Sequence, residues 1–466
     1  MNELGSKRPN IVFILSDDQG AWAMGCAGNK EIITPNLDRL AATGMRCDNF
    51  FCVSPVCSPA RASLMTGRIP SQHGVHDWIK EPEGERNTIR YLEQETTYAA
   101  LLAEQGYVCG LSGKWHIDDN AIPADGFTHW FAHQSGGGPY YGAPMIRDGQ
   151  LYREERYITD VITDDALAFL DRYGPNADQQ PFYISVHYTA PHSPWVNNHP
   201  ERFTAMYQDC SFESCPQEEE HPWKIPNPPW GDDVSANLQG YYASITAMDE
   251  QIGRLLNKLE QLGIRDNTLV CFMSDNGFSC GQHGFWGKGN GTYPQNMYDS
   301  SVKVPAIFSL PGVIKANEVT DVMLSGYDVM PTLLECASVD HSVAKRMPGK
   351  SFYKLLKGDE MLEREHIVIF DEYGPVRMVR SKEWKYVHRY PYGPHELYHL
   401  TVDPQERVNL DKDEKYRDIK LQMRNSLEQW FYTYVDPGVD GVREPVTGAG
   451  QIGLAGLKSK GNQAFD

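Results

Sequence analysis

The sequence is poor in positive charge. Its 466 residues include 43 Lys and Arg against 62 Asp and Glu, so the formal net charge is −19 at pH 7. A chain of this charge repels polyanions, which disfavours nucleic acid and anionic membranes as partners. An anionic small molecule would therefore need a local basic pocket inside a repelling field.

Long hydrophobic runs are also missing. The apolar run at residues 11–15 is followed by Asp17 and Asp18, and it is too short for a signal-peptide core or a membrane span. We therefore expect no membrane association and a cytoplasmic protein. If a leader was removed, the protein would be periplasmic or secreted.

The ten cysteines lack the spacing of zinc ligands. Cys210 and Cys215 form the one close pair, and no histidine partners accompany them. A chain of this length needs no disulfide bridge to build its core. We expect reduced cysteines, with a local bridge between Cys210 and Cys215 only if the protein is exported.

Hydrophobic patterns predict alternating strands and helices. Continuous apolar runs predict buried strands at residues 10–15, 108–111, 182–187, 268–273 and 304–309. Apolar residues at helical spacing predict helices at residues 36–43, 97–105, 159–173 and 241–262. This alternation predicts an α/β fold with a large, mostly parallel sheet sandwiched by helices.

The pattern changes near residue 360. Short strands are predicted at residues 367–370, 376–380, 384–388 and 396–400, and a helix at 412–434. We therefore predict an α/β domain over residues 1–360 and a smaller C-terminal α+β domain, an antiparallel sheet plus a helix, over residues 361–436. The glycine-rich tail at 437–466 is expected to be irregular, either disordered or laid over the larger domain.

Two long segments interrupt the predicted elements. Residues 133–150 and 195–233 are rich in Gly, Pro, Trp and Tyr. They are predicted to be irregular. Long loops in compact domains usually carry function, and surface decoration is the alternative.

Charged and titratable side chains follow four of the predicted strands. These side chains are Asp17 and Asp18, Lys114 and His116, His192, and Asp275 and Asn276. In open parallel sheets, ligands bind beyond the carboxyl ends of the strands. Four such endings on one edge predict a functional site there.

The acidic members of this group predict a metal site. Asp17 and Asp18 repel each other unless a cation or hydrogen bonds neutralise them, and Asp275 and Asn276 add oxygen ligands. Three carboxylates and an amide suit a hard cation, Ca²⁺ or Mg²⁺, better than Zn²⁺. Helix capping or a solvated turn is the alternative for the aspartate pair.

Cys57 begins the segment Cys-Ser-Pro-Ala-Arg at residues 57–61. Ser58 is a good N-cap and Pro59 suits the first helical position, so Cys57 is expected beside free backbone N–H groups, an anion site. Arg61 follows at the same-face spacing of a helix. A buried, inert cysteine is the alternative from these residues alone.

Basic side chains accompany the acidic ones. Lys114, Lys288 and Arg61 would be costly to bury together without an anion. His116 and His192 could act as base and acid. Each histidine could instead be a satisfied core residue.

With these motifs in this order, the sequence resembles the formylglycine-dependent type I sulfatases of the alkaline-phosphatase-like superfamily. The resemblance runs from residue 9 to about residue 410. It rests on the Cys-x-Pro-x-Arg segment at 57–61 with Leu64-Met65-Thr66-Gly67, on Gly113-Lys114-Trp115-His116, on Ala190-Pro191-His192 and on Ser274-Asp275-Asn276-Gly277. The Cys-x-Pro-x-Arg segment in its Leu-Thr-Gly context is the most specific of these motifs.

The resemblance implies a sulfuric ester hydrolase that releases inorganic sulfate, with residues 1–360 as its catalytic domain. In that family a separate maturation enzyme oxidises the motif cysteine to formylglycine, and the hydrate of this aldehyde is the nucleophile. One divalent cation, usually calcium, is shared by the metal ligands and the modified cysteine. Carried onto this chain, those residues are Asp17, Asp18, Cys57, Asp275 and Asn276.

The resemblance also assigns the other candidates. Arg61 would steady the hydrate, Lys114 would hold the sulfate, and His116 would take the proton that lets the sulfated hydrate collapse to the aldehyde. His192 and Lys288 would stabilise or protonate the departing oxygen. Lys288 departs from the usual family spacing, which an inserted loop would explain.

The expected substrate is a sulfated carbohydrate, as for many sulfatases of bacterial type, with an aryl or steroid sulfate as the alternative. Aromatic residues of the two long segments could stack on either kind of ring. They are Tyr140, Tyr141, Trp195, Trp223 and Trp230. The rival functions are a phosphatase or phosphonate monoester hydrolase of the same superfamily, a thiol hydrolase that uses unmodified Cys57, and an inactive relative that binds sulfated glycans.

Overall fold

The computed structural model describes residues 8–81, 87–226, 233–340, 346–359 and 371–466. Within these ranges, ten strands form one mixed sheet. In chain order they are β1 Asn10–Ser16, β2 Met45–Cys47, β3 Val108–Gly113, β4 Phe127–His133, β5 Ala143–Arg147, β6 Gln150–Glu154, β7 Phe182–His187, β8 Thr268–Ser274, β9 Ala306–Ser309 and β10 Glu318–Thr320. Their order across the sheet is β10-β2-β9-β8-β1-β7-β3-β4-β5-β6.

The centre of this sheet is parallel. Strands β8, β1, β7, β3 and β4 run in one direction, whereas β9 and the β5–β6 hairpin add antiparallel pairs on either side. Strand β1 is buried throughout, and Phe13 and Ile14 point into separate hydrophobic clusters on opposite faces. Both faces are therefore covered, as continuous apolar strands require. The predicted α/β fold is confirmed.

Helices cover the two faces of the sheet. They are α1 Pro35–Ala42, α2 Cys57–Thr66, α3 Pro70–His73, α4 Tyr98–Glu104, α5 Ile158–Tyr173, α6 Glu201–Thr204, α7 Val234–Gln261, α8 Asp299–Val302, α9 Val329–Cys336, α10 Tyr353–Leu356 and α11 Arg417–Tyr434. Helices α1, α5 and α7 pack together on one face, and α2, α4 and α9 on the other. None of the helices in the described ranges combines the length and apolarity that crossing a membrane requires.

Several predicted boundaries shift. The helix predicted from residue 241 begins at Val234, because the Asp233 side chain accepts a hydrogen bond from the Ala236 N–H at 2.9 Å and caps it. The segment 133–150 is not irregular throughout, since part of it pairs with Gln150–Glu154 as the β5–β6 hairpin. The strand predicted at residues 367–370 lies outside the described residues.

A four-stranded antiparallel sheet forms the C-terminal part of the described chain. Its strands, in sheet order, are β11 Asp371–Tyr373, β12 Val376–Arg380, β13 Trp384–Arg389 and β14 Glu396–His399. Helix α11 packs on this sheet through Leu427 and Phe431. The predicted antiparallel sheet with its helix is confirmed, and the domain boundaries stay a prediction.

A buried ion network joins the C-terminal sheet to the larger part. Asp299 of α8 accepts hydrogen bonds from Arg380 at 2.8 Å and from Lys385 at 2.6 Å. Lys385, which is fully buried, also contacts Glu406. Burial raises the pKa of Glu406 to about 7, although Lys385 opposes the rise. These four charged groups link the C-terminal sheet to helix α8.

The tail beyond residue 437 lies against the larger part. The Gln451 side chain accepts a hydrogen bond from the His76 N–H at 2.8 Å and donates one to the Gly74 carbonyl at 3.0 Å. Asp77 accepts a hydrogen bond from the Gly450 N–H at 3.1 Å. Of the two expectations for the tail, the structure shows the one in which it is laid over the larger part.

Candidate active site

The predicted site residues converge at the carboxyl ends of the parallel strands. Strands β1, β3, β7 and β8 end beside one another there, helix α2 begins there, and the loop after β8 returns to the same place. This arrangement brings together the predicted catalytic and metal-binding residues, which are Asp17, Asp18, Cys57, Arg61, Lys114, His116, His192, Asp275, Asn276 and Lys288.

Helix α2 carries Cys57 as its first residue. Val56 precedes it in extended conformation and makes no side-chain cap. The prediction that Ser58 caps the helix is wrong: Ser58 lies in the first turn, and its hydroxyl accepts a hydrogen bond from the Ile79 N–H at 2.9 Å. Arg61, one turn later, donates from Nε to Asp275 at 2.8 Å, so the helix brings the thiol and the guanidinium to the same site.

Three carboxylates surround Cys57. One ligand atom from each of Asp17, Asp18, Cys57 and Asp275 lies within 4.8 Å of the others. Asn276 donates from Nδ2 to Asp18 at 2.7 Å, while its Oδ1 is buried without a hydrogen-bond partner. A buried amide oxygen needs a partner, and beside three carboxylates a hard cation would supply it. The donor set therefore fits a divalent metal ion.

Three basic side chains balance the three carboxylates. Lys114 donates to Asp17 at 2.5 Å, and Lys288 contacts the carboxylate of Asp18. Arg61 is the third basic side chain, and it pairs with Asp275. Because these charges cancel, a bound divalent cation would leave the site positive. An anionic substrate would then find a local attractive potential in a chain of net charge −19.

Burial and neighbouring charges shift the pKa of these groups in opposite directions. Burial raises the pKa of Asp17, and Asp275 adds to the rise. Burial opposes ionisation of Asp18 too, but the Lys288 ammonium contributes to an overall lowering of the Asp18 pKa. Burial, followed by the charge of Asp17, raises the pKa of the Cys57 thiol to about 12. The protein groups alone therefore do not stabilise a thiolate at this position.

His116 has one ring nitrogen without a partner. Its Nε2 lies 2.9 Å from the Ile79 carbonyl oxygen, which assigns the ring proton to Nε2, and its Nδ1 is buried and unpaired. Burial, followed by the charge of Lys114, lowers the pKa of His116 well below its ordinary value. The ring is therefore neutral at neutral pH. A neutral imidazole with an available lone pair can act as a base.

His192 is more exposed than His116. Its Nδ1 donates to the Ser193 carbonyl at 2.7 Å, and its Nε2 lies 3.7 Å from the carboxylate of Asp18. Its side chain is 27% exposed, so Nε2 can reach a ligand. Lys288 Nζ lies 2.8 Å from Cys57 Sγ, a geometry that supports its assignment despite the unusual sequence spacing.

A cavity of about 640 Å³ leads to Cys57. Five of the predicted catalytic and metal-binding residues line it: Asp18, Cys57, His116, His192 and Lys288. Its walls also contain residues that the sequence patterns did not mark, namely Trp78, Asn290, Trp286, Gly136, Gly137 and Gly448. Gly136 and Gly137 lie in the long segment 133–150, and Trp286 and Asn290 lie two residues on either side of Lys288, so their positions in the sequence could have hinted at their role. Trp78 and Gly448 had no such signal.

The aromatic residues expected to contact substrate are mostly elsewhere. Trp195 lines the cavity but is only 2% exposed. Tyr140 is buried and donates from its hydroxyl to the His192 carbonyl at 2.8 Å. Tyr141 and Trp223 are not among the cavity-lining residues, and Trp230 lies outside the described residues. Of the other lining tryptophans, Trp78 is half-buried, whereas Trp286 is buried.

Comparison with known proteins places the chain in a family. A family model described as Sulfatase matches residues 9–339, and one described as N-sulphoglucosamine sulphohydrolase, C-terminal, matches residues 281–432. An N-acetylglucosamine-6-O-sulfatase of Bacteroides thetaiotaomicron is 28% identical, over 93% of this chain and 88% of that protein. An ulvan-active sulfatase of Formosa agariphila is 30% identical, over 91% of this chain and 81% of that protein.

A solved structure has the same fold along its whole length. It is described as a complex with its substrate D-glucosamine-2-N,6-O-disulfate, and it is 26% identical to this chain with a TM-score of 0.79. The similarity covers 94% of this chain and 100% of that one. Sulfatases generally depend on a metal ion and a formylglycine. The chain therefore belongs to the sulfatase family and is a sulfuric ester hydrolase.

Proposed function

We propose that the protein removes sulfate from a sulfated carbohydrate. The relatives described above are named as N-acetylglucosamine-6-O-sulfatase and ulvan-active sulfatase, and the solved structure contains a glucosamine disulfate. The cavity volume lies in the range of small-molecule sites. The half-buried indole of Trp78 in its wall suits stacking on the apolar face of a sugar ring. Aryl or steroid sulfates are the alternative substrates.

The metal is proposed to be Ca²⁺, with Mg²⁺ as the second choice. Its ligands would be Asp17, Asp18, Asp275, Asn276 and the modified side chain of Cys57. The unpaired Oδ1 of Asn276 supports this set, because none of the described residues donates a hydrogen bond to it. Oxygen ligands in this number favour the larger and more flexible coordination of Ca²⁺.

Formylglycine at Cys57, made by a separate maturation enzyme, would supply a hydrated aldehyde as nucleophile, and the cation would add positive charge at the sulfuryl oxygens. The position of Cys57 Sγ marks where the hydrate oxygens would lie. Arg61 is fixed there by its bonds to Asp275 and, from Nη1, to the Lys114 carbonyl at 2.9 Å. Its Nη2 is buried without a partner. This free donor can hold an oxygen on residue 57.

The two lysines would bind the sulfate, and the two histidines would transfer protons. Lys114 and Lys288 lie on either side of the carboxylate cluster, where their charges can bind the sulfate. The unpaired Nδ1 of His116 can take a proton from the oxygen on residue 57. Nε2 of His192 can donate a proton to the departing sugar oxygen. A base and an acid thus serve the two halves of the reaction.

The observation that carries this proposal is the convergence of Cys57 with three carboxylates and three basic groups in one buried site. The test is mass spectrometry of the Cys57 peptide together with sulfate release by the same preparation. We expect an aldehyde that reacts with a hydrazide and activity that disappears in Cys57→Ala. Cys336→Ala, which removes a buried cysteine away from the cavity, should keep activity. A fully active protein with an intact thiol at Cys57 would refute the mechanism and favour the thiol hydrolase.

The substrate class needs its own test. We expect higher kcat/KM on sulfated hexosamines than on aryl or steroid sulfates, and no comparable turnover of the corresponding phosphate or phosphonate esters. Trp78→Ala should lower kcat/KM on sugars about tenfold, whereas Trp78→Phe should retain most of it, because an aromatic ring remains for stacking. A preference for aryl sulfates, unaffected by either change, would contradict the carbohydrate proposal. A preference for phosphate esters would instead support the phosphatase.

A further inference from the structure

A glycine-rich loop packs against both site histidines. Residues 135–138 read Ser-Gly-Gly-Gly and follow strand β4. A Cβ atom on Gly136 would lie 2.0 Å from Cε1 of His116, and one on Gly137 would lie 2.7 Å from Cε1 of His192. Real Cβ atoms do not approach other atoms so closely. The two histidine rings therefore lie against bare backbone.

Gly136 and Gly137 are required because there is no room for a side chain, not because of their backbone conformation. Gly136 and Gly137 lie outside the left-handed region, so an L-residue could adopt their backbone angles. A methyl group at either position would have to displace an imidazole or shift the loop. The loop therefore sets how far each ring can swing into the cavity.

Polar contacts alone leave the two rings loosely held. Among the residues that the structure describes, His116 makes one ring hydrogen bond, from Nε2 to the Ile79 carbonyl, and His192 makes one, from Nδ1 to the Ser193 carbonyl. One hydrogen bond at one ring nitrogen still allows the imidazole ring to rotate about that hydrogen bond. The glycine backbone supplies the steric restraint that the hydrogen bonds lack.

Asn120 ties this loop to the turn that carries His116. Its Oδ1 accepts a hydrogen bond from the His116 N–H at 3.0 Å, and its Nδ2 donates to the Gln134 carbonyl at 2.6 Å. His116 has a φ of 56°, a left-handed conformation that a residue with a side chain keeps only when its surroundings hold it. Asn120 is buried, and it also donates to Glu81 at 3.3 Å. One side chain thus links the His116 turn to the start of the loop.

We propose that the loop 135–138, locked by Asn120, positions His116 and His192 for their two proton transfers. This inference rests on the proposed function, since it takes the roles of the two histidines from there. Gly136, Gly137 and Asn120 are positioning residues, because none of them supplies a reacting group. The loop gives each histidine a separate contact, so the two transfers should be separable by mutation.

The test compares Gly136→Ala and Gly137→Ala on two substrates, a sulfated sugar with a poor leaving group and a nitrophenyl sulfate with a good one. Gly137→Ala should lower kcat on the sugar about 10- to 100-fold and have much less effect on the nitrophenyl ester, because a good leaving group needs no acid at His192. Gly136→Ala should slow both substrates equally and show a burst of leaving group, because release of sulfate from residue 57 depends on His116.

Gly138→Ala is the matched control. A Cβ there would lie 3.3 Å from Cε1 of His133, and Gly138 does not line the cavity. We expect wild-type kcat and no burst. Asn120→Asp keeps the acceptor for the His116 N–H and loses the donor to Gln134, so it should reproduce the burst of Gly136→Ala in milder form. It also serves as the second variant if an alanine in the loop lowers stability.

The leaving-group pattern separates positioning from general damage. Damage to the fold would lower kcat on both substrates together, without a burst, and would lower the melting temperature. The inference is overturned if Gly137→Ala shows the same leaving-group dependence as the wild type, if Gly136→Ala shows no burst, or if Gly138→Ala changes kcat as much as they do. If the wild-type protein hydrolyses no sulfate ester, the proposed function fails instead.

Discussion

Asp77 is a buried carboxyl group that holds the C-terminal tail in place. One oxygen accepts hydrogen bonds from the Tyr373 hydroxyl at 2.7 Å and the Trp78 N–H at 2.8 Å, and the other accepts from the Gly450 N–H at 3.1 Å. Burial nevertheless raises the pKa of Asp77 to about 6. The tail should therefore be held more tightly when this group is protonated.

The size of the effect follows from linkage. A carboxyl group with a folded pKa of about 6 and an unfolded pKa of about 3.9 binds more protons in the folded state. Its stabilising contribution is complete below the unfolded pKa and is lost as the pH rises through the folded value. Between about pH 5 and about pH 7.5 the loss is about 1.4 kcal/mol, close to tenfold in an equilibrium constant. Opening of the tail shows the full 1.4 kcal/mol, about tenfold, only when it exposes Asp77 to water.

Hydrogen exchange of the peptide around Gly450 measures this opening. After correction for intrinsic exchange rates, we expect protection up to about tenfold greater near pH 5 than near pH 7.5. Asp77→Asn should abolish the difference, because amides do not titrate in this range. Asp436→Asn, which alters an exposed carboxylate immediately before the tail, should preserve it. Equal protection at both pH values, or a difference that survives in Asp77→Asn, would refute the reasoning.

Three further changes have defined outcomes. Lys385→Met should lower the free energy of unfolding by about 3–5 kcal/mol in denaturant titrations, because buried Glu406 would lose its cation and Asp299 would keep only Arg380. Treatment with EDTA should abolish activity and lower Tm, and in Asn276→Ala recovery should require about tenfold more Ca²⁺ than in the wild type, because one ligand is gone. Arg61→Lys should reduce kcat about 100-fold in steady-state assays, because the charge remains but the free Nη2 donor is lost.

Two of these outcomes have a matched comparison, and the third has a refuting result. Lys382→Met removes an exposed lysine that pairs with Asp321, and it should change stability by less than about 1 kcal/mol. Mg²⁺ in place of Ca²⁺ should restore less activity after chelation. Full recovery with Mg²⁺ would reverse the proposed choice of metal, and a wild-type kcat in Arg61→Lys would remove Arg61 from the mechanism.

The centre of the fold and the reactive groups were predictable from the sequence. Strands buried on both faces appear as apolar runs, and residues 10–15 and 268–273 are such runs. Parallel strands end at one edge, so side chains far apart in sequence, such as Asp17 and Asp275, could be placed together. The charges themselves marked the site, because groups this costly to bury seldom follow apolar strands without a function.

Other features depend on contacts that no local pattern reveals. Ser58 is a residue type that often caps helices, but its hydroxyl accepts a hydrogen bond from the N–H of Ile79, which is distant in sequence. Gly136 and Trp78 enter the cavity wall because of the paths of their loops. The β5–β6 hairpin had a signal that was missed: Asp148 and Gly149 both have positive φ and form a two-residue turn of the Asp-Gly kind.

Helix α2 is buried on every side, from Cys57 to Thr66. A helix without a solvent-facing side tolerates few changes, because each substitution creates a cavity, a clash or an unpaired polar group. Attempts to redirect this enzyme to new esters should therefore leave that helix intact and randomise the half-buried cavity wall at Trp78 and Asn290. New selectivity can arise there while the chemical machinery stays untouched.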